Sequence, residues 1–133
     1  MFKFKDYIFY RMHLRYSKTG ETGPFSPIIF LMVLEFFLSL PFIFLFLEIT
    51  SLPKDMGYIP IFGTQLILFI LNCKRYYRKG KAAEIIKTYK HSKYNQSISG
   101  WMITALAFGC ATIGFACIKP VLLLWSYIAS LFA

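Results

Sequence analysis

The sequence predicts an all-α membrane protein with three transmembrane helices, and three observations carry that prediction. Hydrophobic residues make up 57% of the 133 positions and the mean hydropathy is +0.56. A water-soluble domain this small could not hide so much apolar surface, because small bodies bury a small share of their area. That apolarity is collected into runs long enough to cross a ~30 Å hydrocarbon core. The basic residues are segregated as well: five lie between Lys3 and Lys18 and eight between Lys74 and Lys93, leaving only Lys54 and Lys119 elsewhere. These blocks bracket the apolar runs in the positive-inside pattern, which assigns the N-terminus and the 74–97 loop to the cytoplasm. The length allows one integral membrane domain, 1–133.

The first element is a helix from about Lys5 to Tyr16, in which Tyr7, Ile8, Phe9, Met12 and Leu14 alternate with Lys5, Arg11 and Arg15. Its apolar side is widened by Tyr7 and Phe9 and not cleanly separated from its basic one; it is expected to be an interfacial helix lying on the inner leaflet. Gly20, Gly23 and Pro24 punctuate the stretch Lys18–Pro24 and should end it. The first span is expected at about 27–49, with Pro41 past its midpoint. The run Ile28–Leu47 is longer than a signal-peptide core and no small-residue cleavage site follows it, so it is expected to be retained. A short loop with Pro53 leads to the second span, about 56–74, near the lower limit for crossing.

From about 79 to 95 the chain turns polar. Ala82, Ile85, Ile86 and Tyr89 recur at helical spacing among lysines, predicting a basic amphipathic cytoplasmic helix with Gly80 as its hinge. The third span is expected at about 98–118, anchored by Trp101 and closed by Lys119-Pro120. The apolar residues 121–133 are too few for a comfortable crossing. They predict a short C-terminal helix after a break at Pro120, either interfacial, re-entrant or a fourth span.

Chemistry-bearing residues are few. Glu35 lies inside the first span, where a carboxylate costs on the order of 2.5–3.5 kcal/mol and is turned toward protein or water. Counting ~1.5 Å per residue from the inner end of each span puts Glu35, Gln65 and Thr104 at similar depth, with Ser39 one turn from Glu35. Glu35, Ser39, Gln65 and Thr104 are therefore a candidate intramembrane polar layer, serving as a hydrogen-bonded clasp or as the lining of an ion path. Ala105, Gly109, Thr112 and Ala116 form one small-residue face of the third span, beside a second stripe of Ala107, Ala111 and Gly114. Such faces let helices approach closely in lipid, within one protomer or between protomers. Lys74, Arg75, Arg78, Lys79, Lys81, Lys87, Lys90 and Lys93 form a basic cytoplasmic surface suited to anionic headgroups, with an acidic protein or an anionic ligand as the sharper alternative.

No enzyme is expected. His13 and His91 belong to no ligand-spaced cluster, the six acids include no intramembrane pair, and no phosphate loop or nucleophile elbow is present. Cys73, Cys110 and Cys117 sit in or beside apolar runs without disulfide or zinc spacing and read as small hydrophobes. No catalytic, cofactor or metal site is therefore expected, and nucleic acid is not an expected partner because the charge brackets membrane segments. Two functions fit these features. One is a homo-oligomer that forms or gates an ion-permeable path, or acts as a permeability effector, under cytoplasmic control. The other is a non-catalytic accessory, scaffold or immunity-type subunit that binds another membrane protein.

Overall fold

The computed structural model describes residues 2–20 and 23–133, and every regular element among them is helical. In chain order these are α1 (Phe2–Ser17), α2 (Phe25–Thr50), a single 3-10 turn (Lys54–Met56), α3 (Tyr58–Tyr76), α4 (Lys81–Tyr89), α5 (Tyr94–Ser97) and α6 (Gly100–Phe132). Three stretches, Phe25–Thr50, Lys54–Tyr76 and Gly100–Phe132, are long and apolar enough to cross a membrane, as the hydropathy pattern requires. Glu21 and Thr22 of the predicted break after α1 lie outside the described residues.

Of the three long helices α2 is the middle one, packed along α6 on one side and α3 on the other. Ile28, Leu31 and Leu34 recur at helical spacing and are buried, as are Leu40 and Ile43 further along. The facing stripe on α6 is Ile103, Cys110 and Gly114, all buried, with Leu106 and Ala107 packed beside them. At Gly114 the two backbones nearly touch. A Cβ there would collide with the carbonyl group of Phe37, whose carbon would lie 2.9 Å away. Only glycine permits that approach, which is how helices gain dispersion contact in lipid.

The face of α6 predicted from small residues is a different one. Gly109, Thr112 and Ala116 are exposed, and Ala105 is half-buried. Nothing lies within 4 Å of where a Gly109 side chain would stand. Within the chain, the close helix contact is made by the adjacent stripe through Ala107 and Gly114.

Two features differ from expectation. The predicted break at Lys119-Pro120 is absent, and α6 runs unbroken through Pro120 to Phe132. Proline removes one backbone hydrogen bond and crowds the preceding turn. A chain break would leave several polar backbone groups open along a stretch that is almost wholly apolar, so local adjustment is the smaller cost. At ~1.5 Å per residue the 33-residue helix extends about 50 Å, well beyond a ~30 Å core.

The basic helix expected over 79–95 is instead split into α4 and α5. Asn95 explains the stop: its Nδ2 donates to the carbonyls of Tyr89 (2.9 Å) and Lys90 (3.3 Å), the open acceptors at the end of α4. Gly80 begins α4 at φ +77°, a left-handed conformation that a glycine adopts without strain, in keeping with the predicted hinge.

The N-terminal helix α1 is packed against protein. Its residues Asp6 to Tyr10 and Met12 are buried against α2, α4 and α6. Apolar and aromatic groups surround much of its circumference, so a single lipid-facing stripe could not cover them and protein does.

Candidate functional site

The polar chemistry of the chain collects around α1, which packs against α2, α4 and α6. Position 5 and position 6 of α1 reach two different helices. Lys5 Nζ forms an ion pair with Glu35 Oε1 on α2. The other carboxylate oxygen, Oε2, accepts a 2.6 Å hydrogen bond from Asn72 Nδ2 on α3. One carboxylate therefore ties α1, α2 and α3 together. The same Asn72 amide donates to the Leu68 carbonyl of its own helix at 2.9 Å, and its Oδ1 is buried without a hydrogen-bond partner.

Asp6 is the second tie. Arg75 grips it with both faces of the fork, Nε to Oδ1 at 3.1 Å and Nη2 to Oδ2 at 2.8 Å. The hydroxyl of buried Tyr76 donates to Oδ1 at 3.0 Å. Charge-assisted, bidentate pairs of this kind are the strong ones among polar contacts. The Tyr76 ring stacks flat on Phe9, centroids 4.2 Å apart and planes 3° from parallel, which adds dispersion contact to the pair.

Further along α1, Tyr7 donates to Asn95 Oδ1 at 3.1 Å, and Arg11 donates to the Tyr7 oxygen at 2.9 Å. Arg15 donates to Thr104 Oγ1 on α6. Tyr89 of α4 donates to the Lys3 carbonyl at 3.0 Å, and its ring meets Tyr7 edge-on at 5.7 Å. Burial pushes the Tyr89 phenol above its ordinary value, and the Asp6 charge adds to that while Arg75 opposes it. His13 stacks over Phe9 with Nδ1 buried and without a partner, and burial holds its pKa below the usual histidine value.

The residues of the expected polar layer are thus distributed. Glu35 and Ser39 line the same groove on α2, although the Ser39 hydroxyl donates to the Phe36 carbonyl of its own helix at 2.7 Å. Glu35 is bonded to Lys5 and Asn72, and not to Gln65 or Thr104. Gln65 is half-buried two turns from Asn72 on α3, and Thr104 is taken by Arg15. Depth counting assumed helices that start in one plane. Glu35 is instead about 15 Å from the first residue of α2 and Asn72 about 6 Å from the last of α3, so the helices are staggered.

Sequence reasoning missed Asp6, Asn72, Tyr76 and Asn95. The signal available was Asp6, the lone acid in an otherwise basic segment.

Beside the cluster lies an open groove of about 1600 Å³. Its walls come from α1, α2, α3, α4 and α6, mostly apolar along α2 apart from Glu35 and Ser39, and basic at the mouth. Of the predicted basic surface, Arg75 is turned inward to Asp6 and Lys81 lies 3.8 Å from Glu84. Lys74, Arg78, Lys79, Lys87, Lys90 and Lys93 are exposed. Among the described residues no group of three or more His, Cys, Asp or Glu is placed to hold a metal ion. Comparison with known proteins finds no matching family model, no similar curated protein and no similar solved structure.

Proposed function

We propose that this chain is a small multi-pass membrane protein, its basic end in the cytoplasm, that assembles with copies of itself and gates an ion-permeable path. The observation that carries the reading is the ion pair between Glu35 and Lys5. A carboxylate inside a span is expensive and is by default functional. Here its counter-charge comes from a separate helix, α1, which packs against α2, α4 and α6. With α1 docked, Glu35 is neutralised; with α1 displaced, it presents a negative charge to whatever passes. One chain has too few spans to enclose a pore, and the exposed small-residue face of α6 at Gly109, Thr112 and Ala116 suits close contact between copies.

A second reading rests on the completeness of the Glu35 pairing. Both of its oxygens are engaged, by Lys5 and by Asn72, as in a static clasp. That favours a non-catalytic accessory or scaffold subunit whose partner is another membrane protein.

Particle mass in mild detergent and conductance after reconstitution separate the two. The first reading expects a homo-oligomer that conducts, with Glu35→Gln changing ion selectivity or pH dependence. A monomeric, non-conducting particle that co-purifies with a larger partner, and whose Glu35→Gln variant alters assembly alone, would favour the second.

A further inference from the structure

From the groove beside Glu35 we infer a specific binding site for one anionic glycerophospholipid of the inner leaflet, a site distinct from diffuse headgroup contact and independent of whether the protein assembles with itself. Two independent features of the groove point to an amphiphile. Its mouth carries Lys74, Arg78 and Lys79, all exposed and, among the described residues, without an ion-pair partner. Three unmatched cations at one opening are suited to a phosphate. The carboxylates in the wall do not oppose that charge, because Glu35 is matched by Lys5 and Glu84 by Lys81.

Below the mouth the lining on α2 runs from Leu31 to Phe42 and is apolar apart from Glu35 and Ser39. Leu31 and Leu34 are buried beneath the groove, so its open apolar surface on α2 is the turn from Leu38 to Phe42, about 6 Å along the helix. Leu38 is 47% and Phe42 68% exposed. A free phosphate or an acidic peptide would use the mouth and leave this wall uncovered; a lipid of the inner leaflet covers both at once. The volume, about 1600 Å³, exceeds that of pockets for drug-sized ligands.

The test uses the purified full chain in neutral detergent, with bound lipid read by native mass spectrometry as phosphatidylglycerol or phosphatidylcholine is added. Wild-type protein should retain one phosphatidylglycerol in preference to phosphatidylcholine. Replacing Lys74, Arg78 and Lys79 together by Gln should weaken retention at least ~10-fold, because the charge-assisted contacts to the phosphate are lost. The same change at Lys87, Lys90 and Lys93, outside the groove, should leave it unaltered. Leu38→Trp or Phe42→Trp, at exposed positions, should fill the wall and weaken retention ~10-fold while helix content and particle mass stay the same. Retention that ignores both tryptophan variants, that falls equally with either lysine set, or that inorganic phosphate alone abolishes, overturns the site in favour of surface charge. Equal retention of the two lipids also overturns it.

Discussion

A single carboxylate at position 35 decides how the N-terminal segment is held. Glu35 receives Lys5 and Asn72 on separate oxygens, and its side chain and that of Lys5 are 28% and 20% exposed. Solvent at that level screens the pair, so its contribution belongs near the lower end for charge-assisted contacts. Glu35→Gln is expected to loosen α1 by roughly 1–2 kcal/mol, read as faster hydrogen exchange at α1 amides. Adding Lys5→Gln should cost little more, since the two changes remove the same contact. Additive effects would show that the pair is not the tie. His13 provides a pH signature. Its native pKa lies below the ordinary 6.5 because burial disfavours the charged ring. Docking of α1 should therefore be at full strength above pH 6.5. It should weaken as pH falls further, because undocked His13 then takes up a proton that the docked ring resists. Thermal unfolding against pH checks this, and His13→Gln should flatten the profile. Glu35 stood out in the sequence because a charge in an apolar run is conspicuous. Lys5 did not, as one of many cations in a segment whose basic groups all suited headgroups.

Elements differ in how far periodicity alone reveals them. The spans are legible because an uninterrupted apolar run of that length matches the thickness of a bilayer and is too long for a buried core helix. Which face of α6 meets α2 was not, since two small-residue stripes share that helix and local spacing cannot rank them. The structure uses the one containing Gly114. Gly114→Leu should drive the Phe37 backbone away and destabilise the α2–α6 contact by about 1–3 kcal/mol or more. Gly109→Leu, at an open position, should leave monomer stability unchanged. Melting of both variants in detergent distinguishes them, and equal losses would contradict the packing described. Under the self-assembly reading Gly109→Leu should also lower the particle mass. The unbroken α6 was illegible for a related reason: proline and lysine are local stop signals, whereas continuity is set by the cost of open backbone groups along the apolar residues that follow.

At the scale of the molecule, charge and hydropathy divide the chain into two ends. The proposed orientation places Lys54, at the turn between α2 and α3, on the outer side, and the α4–α5 region on the inner side. An impermeant amine reagent applied to intact cells should therefore label Lys54 and spare Lys87, Lys90 and Lys93, with all four reacting after lysis. Labelling of the lysines of 87–93 in intact cells would invert the topology. The two ends also differ in cohesion. α1 is tied to α2 by Lys5, to α3 by Asp6, to α4 by the Lys3 carbonyl, to α5 by Tyr7 and to α6 by Arg15. Displacing α1 would release every one of these ties together, so the basic end is expected to respond as a unit.

Hydropathy and charge segregation were enough to establish three membrane-length helices, a basic end and an acid inside the first span. These follow from transfer of side chains between water and lipid, a property each residue carries with it wherever the chain goes. Partnership did not follow. That Glu35 meets Lys5 and Asn72, that Asp6 meets Arg75 and Tyr76, and that Gly114 meets Phe37 depend on stagger, rotation and the docking of α1. Those are set by many weak contacts acting together across distant parts of the chain, and the spacing of residues along any one helix does not encode them.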